Sequence, residues 1–295
     1  MSEKWGFIVN PVAGGGRGER ILSELHRQIK SRGLNASVLM TTKPGEGTSL
    51  AEILAERGFN PVVAVGGDGT VNEVVNGIAL KGITLGVVPA GSGNDFVHML
   101  GFPERFKQDH WDALFQRQTG NVDLGICNGR YFINGMGFGF DALVASEVSE
   151  AKGARSYLFS VIKNLLFYRE PVVFSIKDGT AIKRNCFLKT VGIGRRFGGG
   201  FLLTVDAEPD DGLFDICTAD KLSVLQRLKL LLRVRRGTHI RCKEVRYYRT
   251  DSVVFQCEQV MPYHIDGEVL YAKNFEVKII PSAIEVIINA SNIRD

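Results

Sequence analysis

One stretch decides the fold of this chain: Val62-Val63-Ala64-Val65-Gly66-Gly67-Asp68-Gly69-Thr70-Val71-Asn72-Glu73-Val74-Val75-Asn76-Gly77. A β-branched run ends in two glycines, an aspartate, a third glycine and a hydroxyl, and apolar residues at helical spacing follow at once. This order predicts a strand, a tight loop and a helix N-terminus. Glycines let an oligophosphate approach the main chain, and the helix N-terminus presents backbone N–H groups to it. The stretch therefore predicts a phosphate-binding loop, with an ordinary strand-to-helix turn as the alternative.

The carboxylate of Asp68 lies in the middle of this loop. It would repel bound phosphates unless a divalent cation lay between them, so it favours a metal nucleotide over a bare anion. Two further glycine loops, at residues 10–18 and 89–95, also follow predicted strands. Because open α/β sheets bind ligands outside the carboxyl ends of their strands, we expect the three loops to converge on one site.

The order of predicted elements divides the chain into two parts. Strands at 5–9, 36–41, 62–65 and 83–88 alternate with helices at 21–29, 50–57 and 71–80, which predicts a parallel sheet with helices on both faces. After Asn121 the elements become short strands, at 122–127, 131–134, 171–176, 187–193, 201–205, 214–218, 252–257 and 275–280, with helices at 154–167 and 224–234. This pattern predicts a sandwich-like second domain, and the cleft between the domains is the expected active site.

Composition limits the class of protein. The chain has 295 residues, of which 44% are apolar and 23% charged, as in ordinary globular proteins. Its five cysteines are widely spaced and form no C-x-x-C pair, which argues against a disulfide framework or a zinc site and favours a reducing cytoplasm. We expect neither a signal peptide nor a membrane-spanning helix, and therefore a soluble or peripheral membrane protein.

The net charge of +4 is unevenly distributed. Residues 221–249 contain ten basic side chains and one acidic one, so this segment alone carries +9. The predicted helix 224–234 within it combines leucines with arginines and a lysine. Such a helix can lie on an anionic bilayer, and the alternative is a solvated helix packed on the second domain.

Carboxylates in the second half of the chain supply further candidates. Asp123 lies at the predicted domain junction and is either a third carboxylate of the cleft or a turn residue. Asp266-Gly267 predicts a hairpin tip, where Asp266 and Glu268 could act as the general base for an alcohol. The acidic run at 208–213 is typical of an oxygen-ligand loop for Mg²⁺ or Ca²⁺, or of a solvated turn.

Seven motifs in order resemble one known family. They are Asn10-Pro11 followed by glycines, Gly66-Gly67-Asp68-Gly69-Thr70 with Asn72-Glu73, Pro89-Ala90-Gly91-Ser92-Gly93-Asn94-Asp95, Asp123-Leu124-Gly125, Gly198-Gly199-Gly200, Asp211-Gly212-Leu213 and Asp266-Gly267-Glu268. Nearly end to end, the sequence resembles the bacterial lipid kinases of the diacylglycerol kinase catalytic-domain family. These are relatives of sphingosine kinases and, more distantly, of NAD kinases and phosphofructokinases.

The resemblance implies an α/β fold with a Rossmann-like three-layer N-terminal domain and a β-sandwich-like C-terminal domain. The first would span residues 1–122, completed by 283–295, and the second, which binds the acceptor, residues 123–282. The resemblance also implies an ATP site formed by Asn10, Pro11, Val12, Ala13, Gly14, Thr41, Gly66, Gly67, Asp68, Gly69, Thr70, Val71, Asn72 and Ser92.

By the same resemblance, Asp68, Asp95 and Asp123 form a carboxylate and water network around the Mg²⁺ of MgATP. Asp266 and Glu268 are similar to the acidic pair that supplies the family's catalytic base, and the sequence does not decide between them. Glu208, Asp211 and the carbonyl of Leu213 are similar to a structural Mg²⁺ site.

The predicted function is transfer of the γ-phosphoryl group of ATP to a lipid hydroxyl, such as that of diacylglycerol, at the inner face of the cytoplasmic membrane. Two alternatives stay open: a kinase for a soluble alcohol such as NAD or a sugar phosphate, and a non-catalytic nucleotide sensor bound to membranes. The predicted partners are ATP, a lipid alcohol and, transiently, the membrane surface, with a homodimer possible and no nucleic acid.

Overall fold

The computed structural model describes residues 3–148, 163–177 and 180–292. The chain divides into two compact units, one formed by Met1–Leu124 with Ile280–Asp295 and the other by Gly125–Ile279. The strands Thr119–Cys127 (β5) and Glu268–Ile287 (β15) each contribute residues to both units. The C-terminal end of the chain therefore belongs to the same unit as its beginning.

The first unit contains a parallel sheet. Its strands are Lys4–Val9 (β1), Asn35–Met40 (β2), Val62–Gly66 (β3) and Leu85–Pro89 (β4), and its helices are Ala13–Arg32 (α1), Glu46–Glu56 (α2), Asp68–Ile78 (α3), Asp95–Met99 (α4) and Gln108–Gln116 (α5). The strand order is β2-β1-β3-β4, and the end of β15 continues it, with Val286 opposite Leu85. All four pairings are parallel, as expected for strands that alternate with helices.

Helices cover both faces of this sheet, as the neighbours of β1 show. The ring of Phe115 on α5 lies 5.1 Å from Trp5 and 6.5 Å from Phe7, centroid to centroid. On the opposite face, a Cβ at Gly6 would lie 2.8 Å from Cδ1 of Leu54 on α2. Since successive strand residues point to opposite faces, α5 and α2 lie on different sides of the sheet. The result is a three-layer arrangement with the carboxyl ends of β1, β3 and β4 at one edge.

The second unit consists mostly of antiparallel strands. These are β5, Arg130–Phe132 (β6), Gly135–Gly139 (β7), Val172–Lys177 (β8), Thr180–Gly192 (β9), Arg196–Phe197 (β10), Phe201–Leu202 (β11), Phe214–Asp220 (β12), Val245–Thr250 (β13), Ser252–Ile265 (β14) and β15. The main order is β13-β12-β9-β7-β14-β15, and β8 pairs with both β9 and β14. The long strands β9 and β14 therefore pair with β8 along one part and with β7 along another.

Two helices of the second unit pack on one apolar cluster. Phe140–Val148 (α6) contributes Phe140 and Val144, and Val224–Val234 (α7) contributes Leu230, which meet Leu165 and further buried side chains. A short 3-10 helix follows at Thr238–Arg241. Residues 224–234 were predicted to be helical and are. Of the predicted helix 154–167, residues 163–167 are helical and the remainder lies outside the described residues.

Several elements differ from the prediction. Helices α5 and α6 and strands β7 and β13 were not expected, and β9 begins seven residues before the predicted start at 187. Residues 180–185 are exposed on both faces of β9, so the alternation of apolar and polar residues that marks a half-buried strand is missing there. Within the described residues, no helix has the length and hydropathy needed to span a bilayer.

Candidate active site

The site is built first on the junction of β3 and α3. Gly66 ends the strand, Gly67 caps the helix in an extended conformation, and Asp68 begins the helix. A Cβ at Gly66 would lie 2.3 Å from Oγ1 of Thr70, so a side chain there would displace that hydroxyl. The first turn of an α-helix has N–H groups without intrahelical partners, and these groups bind anions. This junction can therefore hold a phosphate group.

The structure brings the three glycine loops together, as the sequence predicted. A Cβ at Gly14 of the first loop would lie 2.1 Å from the carbonyl oxygen of Ala90 in the third. A Cβ at Gly91 would lie 2.4 Å from Cα of Gly67 in the second. Each contact is so close that only glycine fits. The glycines are thus required for the loops to touch, whether or not a ligand is bound.

The residues predicted to bind ATP lie in or beside these loops. Nδ2 of Asn10 donates to Oγ1 of Thr70 at 3.2 Å, which joins the first loop to α3. Thr41 follows β2, and its N–H donates to the carbonyl of Val9 at 2.9 Å. Val12 and Ser92 are exposed on the first and third loops. The other predicted residues are Pro11, Ala13, Gly14, Gly66, Gly67, Asp68, Gly69, Val71 and Asn72.

The carboxylates of this unit accept hydrogen bonds from backbone N–H groups. Oδ1 of Asp68 accepts from Phe96 at 3.2 Å, and because Phe96 follows Asp95, the two aspartates belong to one cluster. Asp123 is fully buried on β5, and its Oδ1 accepts from the N–H of Ser282 at 2.7 Å. These hydrogen bonds fix the orientation of the Asp68 and Asp123 carboxylates.

Arg17 also belongs to the loop cluster, although the sequence analysis assigned it no role. Its Nη1 donates to the carbonyl of Gly91 at 2.8 Å, so it fixes the third loop from the start of α1. Asn94 supports the same residue from the other side, with its amide group bonded to both the N–H and the carbonyl of Gly91. A cation directly after a glycine run was the available signal for Arg17.

In the second unit, Asp266 and Glu268 flank the tip of the hairpin that joins β14 to β15. Asp266 and Gly267 have φ values of 45° and 86°, as the central residues of a type I′ turn require. The Asp266 carboxylate accepts three backbone hydrogen bonds, from Ile133 at 2.9 Å, Asn134 at 3.0 Å and Gly135 at 2.8 Å. It is buried, and it therefore anchors the turn before β7.

Glu268 lies in a different environment two residues later. Its side chain is 41% exposed and forms a two-point ion pair with the guanidinium of Arg130, in which Nη1 donates to Oε1 at 2.9 Å. The other oxygen accepts from Nη2. The two carboxylates therefore differ in exposure and in the kind of group that orients them: a guanidinium at Glu268 and backbone N–H groups at Asp266.

The acidic run, extended here to residues 206–215, is paired with a cation from β13, Arg249. Nη1 of Arg249 lies 3.2 Å from Oδ2 of Asp211, Nε lies 3.3 Å from Oδ1 of Asp215, and Nη2 donates to the carbonyl of Asp206 at 2.6 Å. Oδ1 of Asp211 accepts from the N–H of Leu213 at 3.0 Å. Both oxygens of Asp211 therefore have protein partners.

Burial and charge act in opposite directions in this cluster. Burial raises the pKa of Asp215, while a hydrogen bond from Tyr247 and the charge of Arg249 oppose that rise. Asp215, Asp211 and Glu208 in turn raise the pKa of Arg249, with Asp215 the largest cause. The guanidinium is thus the shared counterion of the three acids named here.

The predicted metal-binding residues Glu208, Asp211 and Leu213 fit a divalent cation poorly in this arrangement. Mg²⁺ needs several free oxygen ligands, yet the Asp211 oxygens are engaged and Glu208 is exposed. Across residues 3–148, 163–177 and 180–292, no group of three or more acidic, histidine or cysteine side chains is arranged to hold a metal ion. A cation at this loop stays a prediction, and the candidate mechanism does not use it.

Comparison with known proteins identifies both parts of the chain. Residues 4–127 match the family described as diacylglycerol kinase catalytic domain. Residues 134–288 match the family described as YegS C-terminal NAD kinase beta sandwich-like domain. The predicted fold class, a Rossmann-like domain followed by a sandwich-like domain, is therefore confirmed.

Two relatives cover most of the chain. The diacylglycerol kinase of Bacillus subtilis (strain 168) is 30% identical over 270 residues, which are 89% of this chain and 88% of the relative. The diacylglycerol kinase of Staphylococcus carnosus (strain TM300) is 30% identical over 274 residues, 91% of this chain and 89% of the relative.

The fold is also found in a solved structure. The crystal structure of a diacylglycerol kinase from Bacillus anthracis str. Sterne superimposes with a TM-score of 0.79 at 24% identity, covering 98% of each chain. At that identity the likeness concerns the fold alone. The two family matches and the two relatives lead to one conclusion: the chain belongs to the diacylglycerol kinase family of lipid kinases, which are phosphotransferases with an alcohol group as acceptor.

Proposed function

We propose that this protein transfers the γ-phosphoryl group of MgATP to the hydroxyl of diacylglycerol or a related lipid alcohol. The observation that carries the proposal is the contact of three glycine loops beside the start of α3, where Gly14, Gly67 and Gly91 leave no room for a side chain. Backbone N–H groups gathered at a helix N-terminus bind phosphate. The names of the relatives support a lipid as the acceptor.

The protein's part in such a transfer is positioning and electrostatics. We assign nucleotide binding to the segment from Asn10 to Gly14, to Thr41, to the segment from Gly66 to Asn72, and to Ser92. Asp68, Asp95 and Asp123 would hold the Mg²⁺ and its water ligands, since carboxylate oxygens are ligands that Mg²⁺ prefers and backbone hydrogen bonds orient two of the three. When bound, Mg²⁺ neutralises charge on the phosphate oxygens.

We assign the role of general base to Glu268 and a positioning role to Asp266. Asp266 is bound by three buried N–H groups, so protonation would cost it those bonds. Glu268 has one side-chain partner in Arg130 and a partly exposed side chain. It would accept the proton of the lipid hydroxyl as that oxygen attacks the γ-phosphorus in line with the leaving ADP.

The proposal includes action at the inner face of the cytoplasmic membrane, because a diacyl lipid stays in the bilayer. It also includes a homodimer. The strand β13 pairs only with β12 among the described strands, and such an edge is a possible site for pairing with a second copy.

A radiolabel assay tests the proposed function. Purified protein with Mg²⁺ and γ-labelled ATP would be offered extracted lipids, diacylglycerol in detergent micelles, NAD and sugar phosphates. We expect label in the lipid fraction alone, and mass spectrometry of the product would name the lipid. Label in a soluble product would favour a kinase for a soluble alcohol. Nucleotide binding without transfer to any acceptor would favour the non-catalytic sensor.

A further inference from the structure

The outward side of α7 is apolar. Leu225, Leu228 and Leu232 follow one another at helical spacing and are 79%, 43% and 75% exposed. The helix is held to the unit by its opposite side, where Leu230 and Val234 are buried. Three exposed leucines on an 11-residue helix are not needed for packing within the unit. A contiguous exposed apolar surface of this kind marks an interaction site.

The inward side of α7 is held by a buried ion pair. Arg227, one of the arginines of this helix, is only 6% exposed and pairs with Glu170 at 2.5 Å. Its guanidinium also donates to the carbonyls of Leu165 at 2.8 Å and Tyr168 at 3.0 Å. This pair fixes which side of the helix faces the protein. The leucines are therefore directed away from the unit by a specific contact.

Residues 163–169, which Arg227 joins to α7, also expose apolar and basic side chains. Leu166 and Phe167 are 46% and 76% exposed, and Lys163 and Arg169 beside them are exposed as well. Around α7 the exposed cations are Lys221, Lys229, Arg235 and Arg236. Neither residues 163–169 nor residues 221–236 contain an acid. One acid, Glu244, lies beside α7 and accepts a hydrogen bond from Gln226 at 3.1 Å. We call the exposed leucines of α7, together with the exposed cations named here, the leucine face.

We propose that the leucine face docks on an anionic lipid bilayer, with Leu225, Leu228 and Leu232 inserted among the lipids and the surrounding cations at the headgroups. The inference rests on the proposed function, because it names the surface by which the enzyme reaches a bilayer substrate. Apolar insertion and attraction to anionic headgroups add together in such helices. A second copy of the chain is a poorer occupant, since a symmetric contact would bring two sets of cations together.

Vesicle sedimentation of the full chain tests this surface. The leucine variant is Leu225→Ser with Leu228→Ser and Leu232→Ser. The matched control, Leu80→Asn with Ile182→Ser and Val260→Ser, removes three exposed apolar side chains elsewhere. On vesicles of phosphatidylcholine with phosphatidylglycerol, we expect the leucine variant to lose at least tenfold in partition coefficient. We expect the control to bind as wild type does.

A charge variant separates the two contributions. Lys229→Gln with Arg235→Gln and Arg236→Gln should lose about a hundredfold in binding to anionic vesicles at low salt and change little on pure phosphatidylcholine. Absence of wild-type binding, or equal binding by wild type and leucine variant, would overturn the inference. So would a wild-type dimer, seen by light scattering, that the leucine substitutions dissociate, because the face would then belong to a second copy.

Kinase activity on a short-chain diacylglycerol in free solution distinguishes this inference from the proposed function. The leucine variant should retain that activity while losing activity on vesicles. If wild type phosphorylates no lipid at all, the proposed function fails, and the vesicle-binding comparison still decides the docking surface.

Discussion

The glycine loops of the first unit and the acidic run of the second are both rich in carboxylates, but the two regions orient those carboxylates with different partners. In the first unit, Asp68 at the start of α3 and Asp123 on β5 accept hydrogen bonds from backbone N–H groups. In the second, Asp211 and Asp215 pair with the guanidinium of Arg249. A backbone N–H orients a carboxylate and brings no formal charge, whereas a guanidinium also brings a positive charge.

This difference separates two kinds of acidic site that look alike in sequence. In the function we propose, carboxylates of the first kind hold an external cation, the Mg²⁺ of the nucleotide. A carboxylate fixed by arginine already has its cation and contributes to the stability of the fold. The comparison leads us to expect a catalytic effect from changes in the first group and a stability effect from changes in the second.

The hairpin tip offers the largest effect, and there we expect the reverse of that division, because its arginine-paired carboxylate, Glu268, is partly exposed while its amide-bound carboxylate, Asp266, is buried. We expect Glu268→Gln to lower kcat by about 10²–10⁴-fold, the usual range for loss of a general base, with little change in stability. Asp266→Asn should lower the free energy of unfolding by about 2–4 kcal/mol, since three buried N–H groups lose a charged acceptor. Steady-state kinetics and urea denaturation of both variants check this. The reverse assignment, with Asp266→Asn stable but inactive, would make Asp266 the base.

Asp68→Asn tests the nucleotide loops. The amide oxygen of asparagine can still accept from the Phe96 N–H, so the loop should keep its shape while the charge is lost. We expect kcat/KM for MgATP to fall about 10²–10³-fold, in the range seen when one electrostatic contact to the reacting groups is removed. The control is Glu56→Gln, an exposed acid on α2. Normal activity of Asp68→Asn would remove Asp68 from the metal-binding cluster.

Arg249→Gln tests the acidic run. Loss of the guanidinium leaves the buried Asp215 carboxylate without its ion pair, and because Arg249 is 37% exposed we expect a moderate cost of about 2–3 kcal/mol in unfolding free energy. Mg²⁺ at millimolar concentration should restore part of that stability in the variant and leave nucleotide-free wild type unchanged. Denaturation with and without Mg²⁺ measures both. A wild-type protein stabilised by Mg²⁺, with the effect lost in Asp211→Asn, would place a metal at this loop.

Much of the first unit could be predicted from the sequence. A strand such as Val62–Gly66 is a buried β-branched run followed by a glycine loop, and that local signal is strong. Loop convergence also followed from a general rule for parallel sheets. The role of Arg17 was missed because its partner, Gly91, lies 74 residues away. A local sequence pattern indicates which residues can line a site, but not which residues from distant parts of the chain complete it.

The second unit was harder to predict, and α7 shows why. Leu225, Leu228 and Leu232 define one helical face, and Arg227, Leu230 and Val234 define another at the same spacing. Periodicity alone favours burying the leucines. In the structure the leucines are exposed and Arg227 is buried, because Glu170, 57 residues before Arg227, supplies a buried partner for the arginine. Arg249 was likewise counted as one basic residue of a charged segment, when its function is to neutralise acids from another strand.

Lys189 on β9 extends the comparison to a cation held by neutral groups. Its Nζ donates to Oγ of Ser175 at 2.9 Å and lies 4.1 Å from the centroid of the Phe255 ring, in a site where the lysine is 4% exposed. Burial lowers the pKa of Lys189 from 10.5 to about 8. No carboxylate lies within ion-pair distance of Nζ among the described residues, so the charged form is poorly compensated.

The sign of the pH dependence follows from this shift. Between pH 8 and pH 10.5 the unfolded chain binds more protons at this lysine than the folded chain does. The free energy of unfolding therefore increases as the pH rises through this range. The free-energy cost of burying the charged lysine is at its maximum below pH 8 and disappears above pH 10.5. We expect the advantage of Lys189→Met over wild type to shrink by about 2 kcal/mol between pH 8 and pH 10, as measured by urea denaturation. The Cys186 and Cys257 thiols stay neutral in the folded protein over this range, because burial raises their pKa values to about 12 and about 11. These thiols ionise in the unfolded chains of both wild type and variant, so their contributions cancel in the difference between the two proteins. A stability advantage of Lys189→Met that stays constant with pH would mean that Lys189 remains charged in a site that solvates it.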